Sequence, residues 1–129
     1  MYKKMLIIAA IFAALSVILG AIAAHFLEQY LTDKMLKVFE TAARYQMYHS
    51  LAIALCGILF YNNSIKAFKI AFYLFIVGIV LFSGSLYALS LLSLQQKISL
   101  HFVGAITPIG GICFIMGWAF IAMGVNKMK

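Results

Sequence analysis

The fold of this chain is decided by residues 5–26, MLIIAAIFAALSVILGAIAAHF, an apolar run without acidic, lysine or arginine residues. An uncharged apolar run of about 20 residues is long enough to cross a hydrocarbon core of about 30 Å as an α-helix. Lys3 and Lys4 precede the run and Glu28 follows it. A basic start before an apolar stretch also fits a secretory signal peptide. Because this run is long enough to span and further apolar runs follow, we expect a retained transmembrane helix.

The remainder of the 129-residue chain has the same character. Hydrophobic residues make up 66% of it and charged residues 10%, whereas a soluble domain is about 45–50% apolar and about 25% charged. These proportions exclude a soluble enzyme, a secreted disulfide scaffold and a disordered regulator. The net charge is +7, but the basic residues lie between apolar runs and not on one face. That placement is typical of membrane proteins, so nucleic acid is not an expected partner.

The apolar runs predict an all-α membrane protein, a single domain over residues 1–129 built as a four-transmembrane-helix bundle. The predicted helices are roughly 4–27, 35–61, 66–94 and 99–126. In the second, the uncharged part is short, so the preceding turn with Glu40 and Arg44 is expected to enter the membrane. More basic residues lie on the side of the two termini and the 61–66 loop than on the opposite side. The positive-inside rule therefore predicts cytoplasmic termini.

This topology gathers most polar residues of the spans at the end of the bundle opposite the termini. They are His25, Glu40, Arg44, His49, Ser83, Ser85, Tyr87, His101, Thr107 and Pro108. Glu40 and Arg44 have the i, i+4 spacing of a pair that can neutralise itself, and Tyr45 and His49 lie on the next row of the helix. One interpretation is a site: a proton relay, a metal centre or an anion pocket. The other is a polar clamp that fixes how the helices meet, which we favour because a short second span must bring its charges inward.

Metal, cofactor and catalytic chemistry find little support in the sequence. The three histidines lie on three helices without the i, i+4 spacing of a helical metal motif, and Cys56 and Cys113 lack ligand spacing. A nucleophile with a neighbouring base is not evident. We therefore expect neither metal nor cofactor, and no enzymatic activity.

Small residues predict where the helices pack, because they let backbones approach closely in lipid. The candidates are Gly20, Ala24, Gly84, Gly110, Gly111 and Gly117. Ser16, Gly20 and Ala24 form one small-xxx-small row, which we expect to be an intramolecular seam and not a dimer motif. Pro108, followed by two glycines, predicts that the fourth helix is kinked or broken near Thr107–Gly111.

Four ordered motifs resemble the YwdK/YgdD-type family of small bacterial membrane proteins. They are LGAIAAH (19–25), ETAARYQMYH (40–49), LFSGSLY (81–87) and ITPIGG (106–111), followed by Gly117-Trp118. The family's first motif commonly reads G-A-F-G-A-H, and Ala23 stands here in place of its second glycine. The resemblance implies four spans in a bacterial inner membrane and no established activity. Its polar motif residues correspond here to His25, Glu40, Arg44, Tyr45, Gln46, His49, Ser83, Ser85, Thr107 and Pro108.

Three functions follow as hypotheses. The favoured one is a non-enzymatic component that supports the bilayer or scaffolds a partner membrane protein. The alternative is a small homo-oligomeric proton- or ion-coupled transporter, suggested by Glu40, Arg44 and His49. A lipid-, quinone- or metal-binding protein is less favoured. Membrane lipids are the expected partners, together with a second copy of the chain or another membrane protein.

Overall fold

The computed structural model of the protein describes residues 1–95 and 101–128, and these residues are almost entirely helical. The α-helices are α1 (Tyr2–His25), α2 (Asp33–Asn63), α3 (Lys66–Gly78), α4 (Gly84–Leu92) and α5 (His101–Val125). Short 3₁₀ turns at Leu27–Gln29 and Ser93–Gln95 follow α1 and α4, and a π-helical segment, Ile79–Ser83, joins α3 to α4. The predicted all-α architecture is confirmed, with four helical segments among the described residues. The predicted first residues of the fourth span, 99 and 100, lie outside the described residues.

Three segments of the described chain are long and apolar enough to cross a membrane: Tyr2–Gln29, Lys66–Gln95 and Val103–Val125. The second of these is the third span, formed by α3, the π-helical segment and α4. Helix α2 is not among the three, because charged and polar residues interrupt its apolar run. Its membrane crossing follows instead from its packing against α1.

Helix α2 runs antiparallel to α1 over the length of both helices. At one end the rings of Tyr2 and Tyr61 lie 4.6 Å apart between centroids. At the other end Ala23 and Leu27 share a buried cluster with Phe39. Because α1 is a candidate span, the helix beside it crosses the same layer. We call the end that carries the termini and Ser64 the Lys66 end, and the opposite end the His25 end.

Helix α2 begins and ends with recognisable caps. The Thr32 side chain accepts a hydrogen bond from the Met35 backbone N–H at 3.3 Å, which satisfies one free donor of the first turn. At the other end Ser64 takes a left-handed conformation with φ 47°. The backbone N–H of Ser64 donates to the Phe60 carbonyl at 2.8 Å. This cap turns the chain tightly into α3.

The third span and α5 pack as an antiparallel pair along a seam of phenylalanines and glycines. Methyl groups added to Gly124, Gly117 and Gly110 would meet Phe68, Phe75 and Phe82, respectively. The glycines and the phenylalanines each recur every seven residues, which is the repeat of a coiled-coil seam. The residue numbers increase along one helix where they decrease along the other, because the helices are antiparallel. Between them the relation reverses, since a methyl group on Gly78 would meet the ring of Phe114. At Gly124, Gly117 and Gly78 a phenylalanine ring fills the space that a missing side chain leaves, whereas Gly110 lies against the backbone of Phe82.

Helix α5 is continuous through the segment where a kink or break was expected. Pro108 lies inside it, and the helical assignment runs without interruption from His101 to Val125. The predicted break near Thr107–Gly111 is therefore wrong, whereas the predicted kink stays a prediction, because a kinked helix can remain continuous. An irregular turn lies in the third span, where the π-helical segment brings the backbone of Phe82 against Gly110.

Candidate functional site

The polar side chains inside the bundle mainly tie helices together, beginning with α1 and α2. The buried Ser16 hydroxyl donates to the Ala43 carbonyl at 2.7 Å. The Gln46 Nε2 group donates to the Phe12 carbonyl at 2.9 Å. Interhelical hydrogen bonds of this kind stabilise helix pairs in lipid by roughly 0.6–2 kcal/mol each. Two consecutive turns of α1 are thus bonded to α2.

Gln46 also connects α2 to the third span. Its Oε1 atom accepts from the Tyr87 hydroxyl at 3.0 Å, while the Tyr87 ring lies 4.7 Å from the Phe39 ring. One turn further along α4, the buried Ser90 hydroxyl lies 3.0 Å from the Met35 carbonyl. With only 4% of its surface exposed, Gln46 uses both ends of its amide to join three helices.

A third tie joins the third span to α5. The Ser85 and Thr107 hydroxyl oxygens lie 2.6 Å apart, and Ser85 Oγ is 2.9 Å from the Phe82 carbonyl. Ser85 has one proton, and the carbonyl can only accept. Ser85 therefore donates to Phe82, and Thr107 donates to Ser85. This pair continues the seam of the third span and α5 one step beyond Phe82 and Gly110.

His49 is enclosed by aromatic rings. Its imidazole stacks on Phe114 with centroids 3.4 Å apart and planes inclined by 6°. Phe75 and Trp118 lie 5.6 and 6.4 Å away. The ring nitrogen Nδ1 is 2.8 Å from the Tyr45 carbonyl, so Nδ1 carries the proton of that hydrogen bond. Buried and bonded to its own helix, His49 packs chiefly as an aromatic side chain between α2 and α5.

The charged members of the predicted cluster do not join this interior network. Arg44 is exposed and Glu40 is half-buried, and no ion pair links them among the residues that the structure describes. His25 is exposed at the end of α1, and Pro108 is exposed on α5. The structure thus divides the predicted cluster into an interior set, in which Gln46, Ser85 and Thr107 bond helices to each other, and an outer set of exposed or half-buried residues.

Ser83 is a separate case within the interior set. It lies in the π-helical segment and is fully buried. Within residues 1–95 and 101–128, its Oγ atom is the one buried side-chain polar atom without a hydrogen-bond partner. A buried hydroxyl without a partner costs roughly 1–3 kcal/mol.

The predicted packing residues also fall into two groups. Gly110 and Gly117 lie on the seam, and Gly111 is 3.9 Å from the Phe82 ring. A methyl group on Gly84 would come no nearer to another group than 4.0 Å, at the Ile79 carbonyl. On α1, Gly20 has open space around it and Ala24 is exposed. Of the row Ser16, Gly20 and Ala24, only Ser16 enters the contact with α2.

Sequence reasoning missed the phenylalanine half of the seam, namely Phe68, Phe75 and Phe82, and the third glycine, Gly124. The signal was present as two series with a repeat of seven residues, one of phenylalanine and one of glycine. It also missed that Ser90 bonds α4 to α2.

The described part of the chain offers little enclosed space. Its described residues contain no group of three His, Cys, Asp or Glu side chains that could hold a metal ion. An open groove of about 170 Å³ lies between α2 and α4 near the His25 end, lined by Lys37, Val38, Thr41 and Leu86. The groove opens outward, away from the hydrogen-bonded interior.

Comparisons with known proteins agree with the resemblance drawn from the four motifs. A family described as Protein of unknown function (DUF423) matches residues 19–111. The UPF0382 membrane protein YwdK of Bacillus subtilis is 44% identical over 126 residues, which cover 97% of this chain and 98% of that protein. The UPF0382 membrane protein SSP2132 of Staphylococcus saprophyticus is 43% identical over 126 residues, which cover 98% of this chain and 99% of that protein.

The similarity extends to a relative with a lower identity. A UPF0382 membrane protein of Haemophilus influenzae is 36% identical over 129 residues, covering 100% of this chain and 98% of that protein. No solved structure matches the chain. The expected family is confirmed, and its relatives are named as membrane proteins of a family of unknown function.

Proposed function

Since the chain belongs to the DUF423 family of membrane proteins, we propose that it is a non-enzymatic component of the bacterial inner membrane that acts by contact with lipid or a partner membrane protein. The observation that carries this proposal is the division of the polar residues. In the interior set, Gln46 bonds to Phe12 and Tyr87, and Ser85 and Thr107 bond to each other, so that these three side chains hold helices together. Arg44 belongs to the outer set, which is left for contacts outside the chain.

The positions of the lysines support an orientation for this component. The Lys66 end carries Lys3, Lys4, Lys66, Lys69 and Lys127, whereas the His25 end carries Lys34 and Lys37 among the described residues. The end richer in basic residues is expected on the cytoplasmic side. Single cysteines at Ser64 and at Thr32, in a background without Cys56 and Cys113, test this in intact cells. A membrane-impermeant maleimide should label the Thr32→Cys variant, and labelling of the Ser64→Cys variant alone would reverse the orientation.

A second candidate function is a proton- or ion-coupled carrier. It is favoured by the unpartnered Ser83 hydroxyl in a π-helical turn, because such turns are frequent at functional sites. The π-helical turn packs against Gly110, two residues after Pro108 in α5, so that it faces the part of α5 that contains the proline. A carrier would use the interior groups for transport, whereas a scaffold uses them only to hold its shape.

Reconstitution separates the two functions. The full-length protein and a Glu40→Gln/Arg44→Met double variant are placed in liposomes with an internal pH-sensitive dye, and proton flux is followed after a pH jump. A scaffold should give the flux of empty liposomes in both cases, with equal helix content by circular dichroism. Flux through the parent protein that the folded double variant loses would refute the scaffold and establish the carrier.

A positive measurement is needed beside that flux assay. Membranes from cells that produce the full-length protein are solubilised in a mild detergent, and the complex is sized by native gel electrophoresis. The scaffold predicts a complex larger than two copies of the 14.3 kDa chain that the Arg44→Met variant disrupts. The matched control is Lys69→Met on α3, which removes an exposed charge at the Lys66 end and should leave the complex intact.

A further inference from the structure

One face of α2 is exposed along most of the helix, although α2 packs on both α1 and the third span. Along this face, exposed side chains recur with the spacing of a coiled-coil seam. They are Lys37, Arg44, Leu51 and Ile58, seven residues apart, with Tyr48 and Leu55 between them. Leu51 is 60% exposed, and Tyr48 and Ile58 are each 53% exposed. We call these six residues the outer stripe of α2.

Arg44 places a charge of this stripe at membrane depth. Its neighbour Ala43 accepts the hydrogen bond from Ser16, and Ser16 lies about 14 Å along α1 from the His25 end. Arg44 is therefore level with the interior of the candidate span Tyr2–Gln29. A charge at such a depth that faces lipid costs about 2.5–3.5 kcal/mol or more, so charged residues in spans almost always face protein and pair.

An acidic residue, Glu40, lies close to Arg44 on the same helix. Glu40 lies one turn before Arg44 on the edge of the stripe and is half-buried. The described residues provide neither side chain with an ion pair. Glu40 and Arg44 thus place one negative and one positive charge side by side at the edge of the stripe, and Lys37 adds a second positive charge one turn before Glu40. The part of the surface formed by Glu40 and Arg44 is therefore complementary to itself in charge.

We propose that the outer stripe of α2 is the interface of a two-fold dimer in which Arg44 of each copy pairs with Glu40 of the other. Side chains of an α-helix tilt toward its N-terminus, so Arg44 leans toward the level of Glu40 on a parallel neighbouring helix. A two-fold axis uses the same surface twice and forms both pairs at once. The dimer does not depend on the proposed scaffolding role, because the carrier would also contain it.

The outer stripe is covered by a second copy of the chain and not by a lipid headgroup, because its repeat of exposed residues continues beyond Glu40 and Arg44. Tyr48, Leu51, Leu55 and Ile58 extend the repeat of the stripe to the Lys66 end of α2. A lipid phosphate would pair with Arg44 but would bring a second negative charge next to Glu40. A second α2 provides both the cation for Glu40 and an apolar surface for the remainder of the stripe.

Disulfide cross-linking in membranes tests the contact. In a background with Cys56→Ala and Cys113→Ala, the Tyr48→Cys variant should form a disulfide-linked dimer when oxidised, because the stripe brings residue 48 of the two copies together. The matched control is Ile115→Cys, which is on α5 and 70% exposed. It lies at the same depth, since its neighbour Phe114 stacks on His49. The control should stay monomeric, and equal cross-linking of both variants would overturn the proposal.

Charge exchange between copies tests the ion pairs. At positions 40 and 44, a Glu40→Arg variant carries two positive charges and an Arg44→Glu variant two negative charges, so each alone should repel its own copy. The association constant in lipid bilayers, measured by energy transfer between labelled copies, should fall by about tenfold or more for each, which is about 1.4 kcal/mol per tenfold. Mixing the two variants should restore it, because every charge then faces its opposite in the other copy.

Folding of the variants is checked by helix content, and Lys69→Glu serves as a control for a change of net charge away from the stripe. It should associate as the parent does. A monomeric parent in the bilayer, or a mixture that associates no better than either variant alone, would overturn the dimer. If Arg44 instead binds a lipid phosphate, the mixture will not recover. If it binds a different protein, the Tyr48→Cys variant will stay monomeric on oxidation, which would also overturn the dimer.

Discussion

Gly110 lies against the backbone of Phe82, so that a methyl group on Gly110 would be 2.8 Å from the Phe82 Cα atom. Elsewhere on this seam a glycine faces a phenylalanine ring, as Gly117 faces Phe75. Between Gly110 and Phe82 two backbones are in contact. Phe82 belongs to the π-helical segment and Gly110 follows Pro108, so the two unusual turns of the bundle are packed directly on each other.

Replacing Gly110 by alanine should destabilise the protein strongly. The added methyl group meets backbone atoms of Phe82, which cannot rotate away as a side chain can. Overpacking of this kind costs about 1–3 kcal/mol, and we expect the Gly110→Ala variant at the upper end. The free energy of unfolding in mixed detergent micelles, measured by circular dichroism, gives the value.

Gly20→Ala is the matched control for that substitution, because a methyl group on Gly20 meets nothing within 4 Å. Its free energy of unfolding should stay within about 0.5 kcal/mol of the parent. Equal losses in both variants would show that a general effect of alanine in these helices, and not the contact with Phe82, determines stability.

Gly117 should behave differently, because its neighbour can be made smaller. A methyl group there would lie 2.6 Å from a ring carbon of Phe75. We expect Gly117→Ala and Phe75→Leu each to lower the free energy of unfolding by about 1–3 kcal/mol. The double variant should lose less than the two single losses together, since the smaller leucine leaves room for the methyl group. A double-mutant cycle gives this coupling, and strict additivity would contradict the contact.

The sequence predicted the helices well because apolar runs and their flanking charges depend on neighbours along the chain. The span predicted over 66–94 is found as α3, the π-helical segment and α4, within Lys66–Leu92. The pairing of helices depends on three-dimensional neighbours. Phe75 and Gly117 carry visible repeats of seven, but only the folded chain shows that these two repeats face each other.

The same limit explains the candidate site. Spacing showed that Glu40 and Arg44 can pair, but a long exposed side chain on a helix has several rotamers, and the structure does not bring the two together. Small residues at Gly20 and Ala24 make close helix packing possible but do not cause it. Helix α1 contacts α2 through the face that contains Ser16. The irregular turn was expected at Pro108, whereas a π-helical turn such as Ile79–Ser83 has no comparable signal in the sequence.

Gln46 should be the most costly interior polar residue to replace, because it bonds to two other helices. In a Gln46→Leu variant the Tyr87 hydroxyl loses its acceptor and the Phe12 carbonyl loses a donor. At roughly 0.6–2 kcal/mol for each hydrogen bond, we expect a loss of about 1–4 kcal/mol in the free energy of unfolding. A Tyr87→Phe change in the Gln46→Leu background should cost almost nothing further, whereas the same change in the parent should cost one hydrogen bond. A full cost in both backgrounds would exclude the bond.

Ser83 and Ser85 provide a final pair of variants, because they lie two residues apart and are both buried. Ser85 donates to the Phe82 carbonyl and accepts from Thr107, so Ser85→Ala removes the bond between the third span and α5 and should lower the free energy of unfolding by about 1 kcal/mol. Ser83 has no partner among the described residues, and removing an unsatisfied hydroxyl relieves its desolvation cost. Ser83→Ala should therefore leave stability unchanged or raise it. If Ser83→Ala destabilises the protein while Ser85→Ala does not, the hydroxyl of Ser83 has a partner and that of Ser85 contributes nothing, which would reverse the roles assigned to the two serines.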